Sequence, residues 1–567
     1  MAEPVATDRQ KKKELWKSAL FRWLVFLQLL VLFGFVYVRI GNLLIHQTNN
    51  TTKEIHGGDQ MHNMRMATET REDLHPDFTK GFTTPLRNWF PHRTDGVLQP
   101  LWPWMAAWMV EPGHKITPEM VGDSNLAPRE EDWTLFNNGR KAHIWMTLGF
   151  LIMLGIGAGR IFSIPAAINL VLLGGFGMFL PRSAYFQPEP VYYIFFFLTW
   201  VACVSALNHN SLWVYGLIGV LGGMAYMAKG SVQPLLAVFI GVSSLRCIWE
   251  FLSAKRRGYR LSGTNLWHWR NHLVGLIFLG AGHLMTIGPR LTDSYEKFGD
   301  MFHSYPSYWM WMDDFKQGYD WMDKHNSKEE LEAMRKQTDR EVLDEMLRAR
   351  GIEPKKLETE GSDELRKSTA DVYALLARDR PSFGNYWRTH TGEVMWQRLK
   401  DGAWNRVSEF LWPKQTKRAK KLDDQKPWKG VLEWRGLYLG WLLIVLAGLL
   451  VSMLAAAPKA EHAGHVVFRH GSVTTIIFVL LCFVAYSAAY GFYAPIARGS
   501  GDRFMLSLYL PLAFSFIWGA ESIVRRLRRR QSSPWIMRGY LAAQWMLCAA
   551  ISWRLFEILR SPHFYNG

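Results

Sequence analysis

Cysteine is scarce in this chain of 567 residues, and several widespread catalytic motifs are missing. The four cysteines, Cys203, Cys247, Cys482 and Cys548, all lie inside long apolar runs. They show neither the paired spacing of a metal site nor the pattern of a disulfide framework. The sequence also has no P-loop, no dinucleotide-binding glycine fingerprint and no nucleophile elbow. These absences argue against a disulfide-stapled domain, a P-loop nucleotidase, a Rossmann dehydrogenase and an α/β-hydrolase.

Acidic residues are also in short supply, with 49 Asp and Glu against 66 Lys and Arg, which gives a formal net charge of +17. The excess basic residues cluster beside apolar runs rather than along one face. Membrane topology and anionic lipid therefore explain them better than nucleic acid does.

Long apolar runs are abundant. A membrane span needs about 20 mostly apolar residues, and about eleven segments meet that length. They are 19–40, 143–161, 163–180, 191–207, 212–228, 231–252, 271–289, 433–457, 473–494, 504–524 and 538–560. Backbone groups inside a bilayer have no water to bond, so each span has to be helical. We predict an all-α polytopic membrane protein.

Basic residues beside the spans predict the topology. The first span is long and lacks a cleavage site, so we interpret it as a retained anchor. Four lysines in residues 1–18 place the N-terminus in the cytoplasm. Counting spans puts the basic clusters at 255–260 and 525–530 on the same side. The cluster at 414–429 falls outside, after a polar segment too long to obey the rule. We predict a protein of the bacterial inner membrane, or of the endoplasmic reticulum in a eukaryote.

The same count divides the chain into four parts. A cytoplasmic N-terminus (1–18) precedes a membrane module (19–290) that carries a long external loop (41–141). An external, soluble helical domain (291–432) and C-terminal membrane helices (433–567) follow. In the external domain, Ser327 and Glu330 form a capping box for a helix to about Arg350, and a second helix is predicted at about 363–378. The domain is either a helical cap or an acceptor-binding lid whose aromatic side chains stack on sugar or peptide.

Asp95 is the first candidate for chemistry. It lies in the external loop, directly before a Trp-rich apolar run (97–110) typical of an interfacial helix. One interpretation is a general base that deprotonates an acceptor hydroxyl at the membrane surface. The other is an Asp-Gly turn with Gly96, in which the side chain bonds its own backbone.

Glu189 lies between two prolines at the external start of span four. It is either a carboxylate that favours a helix N-terminus or a second acid of the same site. With Asp95 it permits, without demanding, a divalent cation such as Mg or Mn. Arg182 lies close by in sequence and could pair with Glu189 or with a phosphate.

Arg503 and Lys229 are cations that the same count places on the external side. Each is either an anchor that reaches to the interface or a clamp on a phosphate at the membrane surface. Arg498 is a weaker candidate of the same kind. His268, His272 and His283 do not have a known metal-ligand spacing and are interpreted as core or interface histidines.

Carboxylates and cations around one lipid-accessible zone fit a particular reaction. A group is transferred from a lipid-linked phosphate to an acceptor, the cations stabilise the leaving phosphate and a carboxylate activates the acceptor. Single displacement inverts the anomeric carbon of a sugar. Two other classes are open, a transporter or flippase of a lipid-linked glycan and a non-catalytic scaffold. Few charges fall in mid-span, which favours the enzyme over the transporter.

Four strings carry a resemblance to a known family. They are Arg93-Thr94-Asp95-Gly96, the segment from Arg182 to Glu189, Ala228-Lys229-Gly230, and Gly501-Asp502-Arg503-Phe504. On them the sequence resembles the GT-C glycosyltransferases, which use polyprenyl-phosphate sugars. Its layout is similar to that of protein O-mannosyltransferases and aminoarabinose–lipid A transferases.

The resemblance implies a GT-C-like bundle with a catalytic carboxylate at Asp95 and phosphate-binding positions at Arg503 and Lys229. It implies a protein, lipid or glycan acceptor. Two departures stand out. The usual second acid of the first loop is replaced by Gly96, so Glu189 becomes the candidate for that role. Segment 291–432 is predicted to be helical rather than a β-trefoil.

Overall fold

The computed structural model describes residues 8–47, 55, 59–74, 89–117, 120, 127–209, 211–256, 266–298, 300–314, 316–318, 321, 381–411, 435–447, 470–496, 501–531 and 535–560. All regular secondary structure in these ranges is helical, and no strand occurs among them, which confirms the all-α class. The predicted helices at 327–350 and 363–378, the basic cluster at 414–429 and Arg498 lie outside the described residues.

The described helices of the first part of the chain lie between Asp8 and Phe298. They are α1 (Asp8–Gln47), α2 (Asp59–Asp73), α3 (Leu101–Ala107), α4 (Glu130–Ile161), α5 (Ile164–Gly174), α6 (Leu180–Ser183), α7 (Glu189–His209), α8 (Leu212–Ala228), α9 (Gln233–Arg256) and α10 (Leu266–Phe298). A π-helical turn (Gly175–Phe179) joins α5 to α6, and a 3₁₀ turn (Gly230–Val232) joins α8 to α9.

The second part begins with short helices and ends with long ones. They are α11 (Tyr305–Trp309), α12 (Phe383–Thr389), α13 (Gly392–Leu411), α14 (Arg435–Ala447), α15 (His470–Tyr493), α16 (Tyr509–Gln531) and α17 (Trp535–Arg560). A 3₁₀ segment (Gly501–Leu508) leads directly into α16.

Eight helices of the described chain are long and apolar enough to cross a membrane, so the chain is an integral membrane protein. They are Leu20–His46, Glu130–Ile161, Ile164–Ser183, Glu189–Asn208, Gly230–Leu252, Arg270–Phe298, Thr474–Tyr493 and Arg503–Arg525.

The predicted number of eleven spans is not confirmed. Helices α8 and α14 are apolar but short. The 17 residues of α8 extend only about 26 Å, less than the roughly 30 Å hydrocarbon layer. Helix α17 has 26 residues but carries Gln544 at its centre and Arg554 further on, which lowers its apolar character.

The chain divides into two compact units. One comprises residues 1–301, 407–486 and 501–567, and the other comprises 302–406 and 487–500. Every predicted site residue, from Asp95 to Arg503, belongs to the first unit. The predicted domain limits at 291 and 432 stay a prediction.

Within the first unit, α8 and α10 meet backbone to backbone. A Cβ on Gly219 would lie 2.2 Å from the carbonyl oxygen of Leu279, and one on Gly282 would lie 2.8 Å from the carbonyl oxygen of Gly216. Only glycine permits such an approach. The close packing fixes the end of α8, where Lys229 follows.

The π-helical turn lies in the nearly fully buried span Ile164–Ser183. A π turn interrupts the i→i−4 ladder. The guanidinium of Arg435, at the start of α14, donates to the carbonyl oxygen of Gly177 at 3.1 Å and to that of Phe410 at 3.2 Å. These bonds satisfy a buried arginine and hold α14 against the centre of the unit.

Candidate functional site

Glu189 is the buried centre of the site. It is the first residue of α7, where a carboxylate interacts favourably with the helix dipole, and only 3% of its side chain is exposed. A buried carboxylate needs cationic or hydrogen-bonding partners, because transfer out of water is otherwise costly.

Lys229 and Arg503 supply those partners from distant parts of the sequence. Lys229 caps the end of α8, and its Nζ donates to Glu189 Oε1 at 2.9 Å. Arg503 lies in the 3₁₀ segment before α16, with Nη1 4.0 Å from the same oxygen. Both cations also lie over the ring of Phe504, Lys229 Nζ at 4.8 Å and Arg503 Cζ at 5.1 Å from its centroid. Three predicted site residues therefore converge.

Arg182 belongs to the same cluster. It lies in α6, is half-buried, and is close enough to Glu189 to interact with it electrostatically. The structure thus brings together four of the residues predicted for the site, Arg182, Glu189, Lys229 and Arg503.

Asp59 completes the cluster and was missed by the sequence analysis. It is the first residue of α2, and its Oδ2 lies 3.3 Å from Arg503 Nη1. Its side chain is 44% exposed, whereas that of Glu189 is buried. The next residue, Gln60, accepts a hydrogen bond from the Phe186 amide at 3.0 Å, which fixes α2 beside the segment that leads to Glu189. The only sequence signal was an Asp after two glycines in a polar loop.

Asp95 adopts the Asp-Gly turn that was its alternative interpretation. Its Oδ1 accepts hydrogen bonds from the amides of Val97 at 2.9 Å and Leu98 at 2.8 Å, and Gly96 has a positive φ of 81°. Its other oxygen contacts Nε2 of His62. Burial raises the pKa of Asp95, but the bond from His62 and those two amides outweigh it, so the pKa lies below its ordinary value.

Asp95 and the cation cluster contact neighbouring residues of α2, Asp95 through His62 and Arg503 through Asp59. His62 follows Asp59 by three positions, so the two side chains are neighbours on the helix surface. Among the described residues, no ion pair joins Asp95 to Arg503, Lys229 or Glu189. The structure therefore connects Asp95 to the cluster through α2 rather than by direct contact.

The turn that carries Asp95 is braced on both sides. Arg93 pairs with Asp73 of α2 at 2.8 Å, and the Thr94 amide donates to Asp293 of α10, also at 2.8 Å. Lys297 of α10 donates to the Thr94 carbonyl oxygen at 3.0 Å. This bracing holds the turn in one position.

The Trp-rich run after Asp95 forms α3, but its tryptophans differ in environment. Trp102 is buried, with its ring centroid 5.1 Å from that of Phe186. Trp108, just after the helix, is 53% exposed. Part of the run therefore packs into the protein beside the site, and only part is free to contact lipid.

The charges of the cluster favour an anionic ligand. Three cations, Arg182, Lys229 and Arg503, face two carboxylates, Glu189 and Asp59, which leaves one positive charge in excess. Burial lowers the pKa of Lys229; Glu189 opposes this shift and Arg503 reinforces it. A bound anion would stabilise the charged form of Lys229.

Several polar atoms around the cluster are buried without a hydrogen-bond partner in the described structure. They include Glu189 Oε2, Arg503 Nε and Gln99 Oε1. Gln99 lies beside the Lys229 turn, since a Cβ on Gly230 would lie 3.8 Å from its Nε2. Buried polar groups normally have partners, so these atoms are suited to bind polar groups of a ligand.

The described residues contain no group of three or more His, Cys, Asp or Glu side chains arranged to hold a metal ion. Asp95 and Glu189, the two carboxylates predicted as possible ligands, have separate partners. His272 bonds the hydroxyl of Tyr215, and His283 packs 6.0 Å from the ring of Tyr226. The side chain of His268 lies outside the described residues.

The chain matches no protein-family model, and no curated protein matches it.

Proposed function

We propose that this protein is an integral-membrane glycosyltransferase. It moves a sugar from a polyprenyl-phosphate donor to a hydroxyl or amine of a protein, lipid or glycan acceptor. The active site lies on the periplasmic or lumenal side, as the basic-residue topology predicts. The GT-C-like arrangement of the helices is part of the proposal.

The observation that carries the proposal is the convergence of Lys229 and Arg503 on Glu189. Two cations held about one buried carboxylate, 2.9 and 4.0 Å away, are a preorganised clamp for a phosphate. Preorganised cations stabilise the charge that develops on a leaving phosphate, because they need not reorganise during the reaction. Arg182 adds positive potential, and Glu189 holds the two cations in position.

Asp59 is our preferred general base. It contacts Arg503 at 3.3 Å and is the more exposed carboxylate of the cluster, so an acceptor can reach it. In the reaction the acceptor oxygen or nitrogen bonds to the anomeric carbon while the bond from that carbon to the phosphate oxygen breaks. The acceptor proton passes to the carboxylate, and the polyprenyl phosphate leaves. One displacement inverts the anomeric centre.

Asp95 is the alternative base. The resemblance in its string favours it, and it contacts His62, which lies one turn along α2 from Asp59. Its three hydrogen bonds leave it less free to accept a proton than Asp59. Single amide substitutions at Asp59 and Asp95 distinguish the two candidates.

The test is a transfer assay on purified protein with a panel of polyprenyl-phosphate sugars and crude acceptor membranes. We expect Arg503→Ala to reduce transfer strongly. The matched control is Arg554→Ala, which removes an exposed arginine of α17 that pairs with neighbouring Glu557. Equal activity of both variants would remove the proposed site. If the wild type moves a labelled glycolipid across liposomes without transferring sugar, the protein is a flippase.

A further inference from the structure

Helix α13 lies against the last turn of a membrane-spanning helix. A Cβ on Gly402 of α13 would lie 1.9 Å from the carbonyl oxygen of Gly491 in α15, and one on Gly491 would lie 2.6 Å from the amide nitrogen of Ala403. The two backbones therefore touch. The apolar span of α15 is Thr474–Tyr493, so the contact falls in its final turn.

Two arginines of α13 bind the end of α15. Arg398 Nε donates to the carbonyl oxygen of Phe492 at 2.9 Å, and Arg406 Nη2 donates to that of Ala494 at 3.3 Å. The guanidinium of Arg398 also lies 4.4 Å from the centroid of the Phe492 ring. The last carbonyls of a helix lack intrahelical donors and attract cations. These bonds fix α13 across the C-terminal end of the span.

The position of this contact sets the depth of α13. The end of an apolar span marks the boundary between hydrocarbon and headgroups. A helix bound to the carbonyls at that end lies at the level of the headgroups, whichever side of the membrane this is.

The face of α13 that points away from α15 has the composition of a membrane interface. Trp396 is 63% exposed and Trp404 is 73% exposed, and exposed Lys400 lies between them. The spacing of four residues puts these three side chains on one face, roughly opposite Gly402. Tryptophan is enriched at headgroup level, and lysine reaches from there toward phosphate.

We propose that this face of α13, formed by Trp396, Lys400 and Trp404, binds the phospholipid headgroup layer. The two indole rings insert between headgroups, and Lys400 pairs with a lipid phosphate. Glu393 and Asp401, which are also exposed on α13, offset its positive charge, so insertion of the rings rather than bulk attraction to anionic lipid is the main interaction. The proposal does not depend on the glycosyltransferase activity.

The test uses single cysteines labelled with an environment-sensitive fluorophore. The four native cysteines are replaced, Trp396→Cys and Trp404→Cys are made separately, and the full-length protein is placed in phosphatidylcholine nanodiscs with or without lipids that carry a nitroxide near the headgroup. Asn405→Cys, an exposed position on the flank of the same helix, is the control. We expect blue-shifted emission and strong nitroxide quenching at 396 and 404, and weaker quenching at 405.

Two results would overturn the proposal. Quenching at 396 and 404 by aqueous iodide but not by nitroxide lipid means that the face points into water. Protection from both quenchers means that protein covers it. Should loss of a tryptophan disturb the fold, Lys400→Cys reports on the same face with both rings in place, and the same outcomes decide the question.

Discussion

Lys229 and Glu189 lie forty positions apart in the chain, yet Lys229 Nζ donates to Glu189 Oε1 at 2.9 Å. The pair links the end of α8 to the start of α7, and Glu189 is almost fully buried. Removal of one member of a buried pair leaves an uncompensated charge, which costs more than the pair contributes.

This relationship predicts an asymmetric mutant cycle. Lys229→Met should destabilise the protein by about 1–3 kcal/mol. This loss is smaller than that expected on breaking a fully buried pair, because Lys229 is 20% exposed and Arg503 remains near Glu189. The double variant Lys229→Met/Glu189→Leu should recover part of that loss. The measurement is thermal unfolding in detergent. A double variant less stable than Lys229→Met would contradict the prediction.

The two candidate bases are separated by amide substitutions. Asp59→Asn should reduce kcat by about 10²–10⁴-fold, because a neutral amide does not accept the acceptor proton. Asp95→Asn should keep most of the activity and lower stability instead, since Asp95 bonds the amides of its own turn. Transfer kinetics and unfolding are measured on both variants. The opposite pattern would move the catalytic base to Asp95.

The difference between Asp59 and Asp95 shows what the sequence could and could not predict. Local apolar composition predicted the eight helices that are long and apolar enough to cross a membrane, because burial in lipid depends on the segment itself, but it also predicted three further spans that are not confirmed. Topology counting also selected Arg182, Glu189, Lys229 and Arg503, which the structure brings together. Asp59 does not stand beside an apolar run, so nothing in its local sequence marked it as a site residue. The structure identifies it because Arg503, more than 400 positions later in the chain, contacts it. Such long-range contacts leave no local signal.

The environment of Lys229 predicts an alkaline limit on donor binding. The cationic form holds the phosphate, and burial lowers the pKa of Lys229. Donor affinity should therefore fall as the pH rises through this lowered pKa, at lower pH than an ordinary lysine would allow. Lys229→Arg should move the limit upward, because arginine stays charged. The dependence of KM for the donor on pH tests this. An identical limit in both proteins would assign it to another group.

Asp95 predicts a loss of stability in acid. Its pKa in the folded protein is lower than the ordinary value. The unfolded chain therefore binds the proton more readily, and the stabilisation is complete above the ordinary aspartate pKa and is lost as the pH falls through the folded value. Asp95→Asn should be less stable at neutral pH and should lose less stability on acidification. Unfolding curves at several pH values test this, and parallel losses in both proteins would exclude the effect.

Two glycines of α8 offer a matched pair for the packing of that helix. A Cβ on Gly219 would lie 2.2 Å from the Leu279 carbonyl oxygen, whereas a Cβ on Gly216 meets nothing within 4 Å. Gly219→Ala should separate α8 from α10, destabilise the protein by about 1–3 kcal/mol and displace Lys229 at the end of α8. Gly216→Ala should be neutral or slightly stabilising, because alanine favours a helix. Donor KM and unfolding temperature are measured for both. Only Gly219→Ala should raise the donor KM, because displacement of Lys229 weakens the phosphate clamp. Equal behaviour of the two variants would show that the backbone contact between α8 and α10 does not position the site.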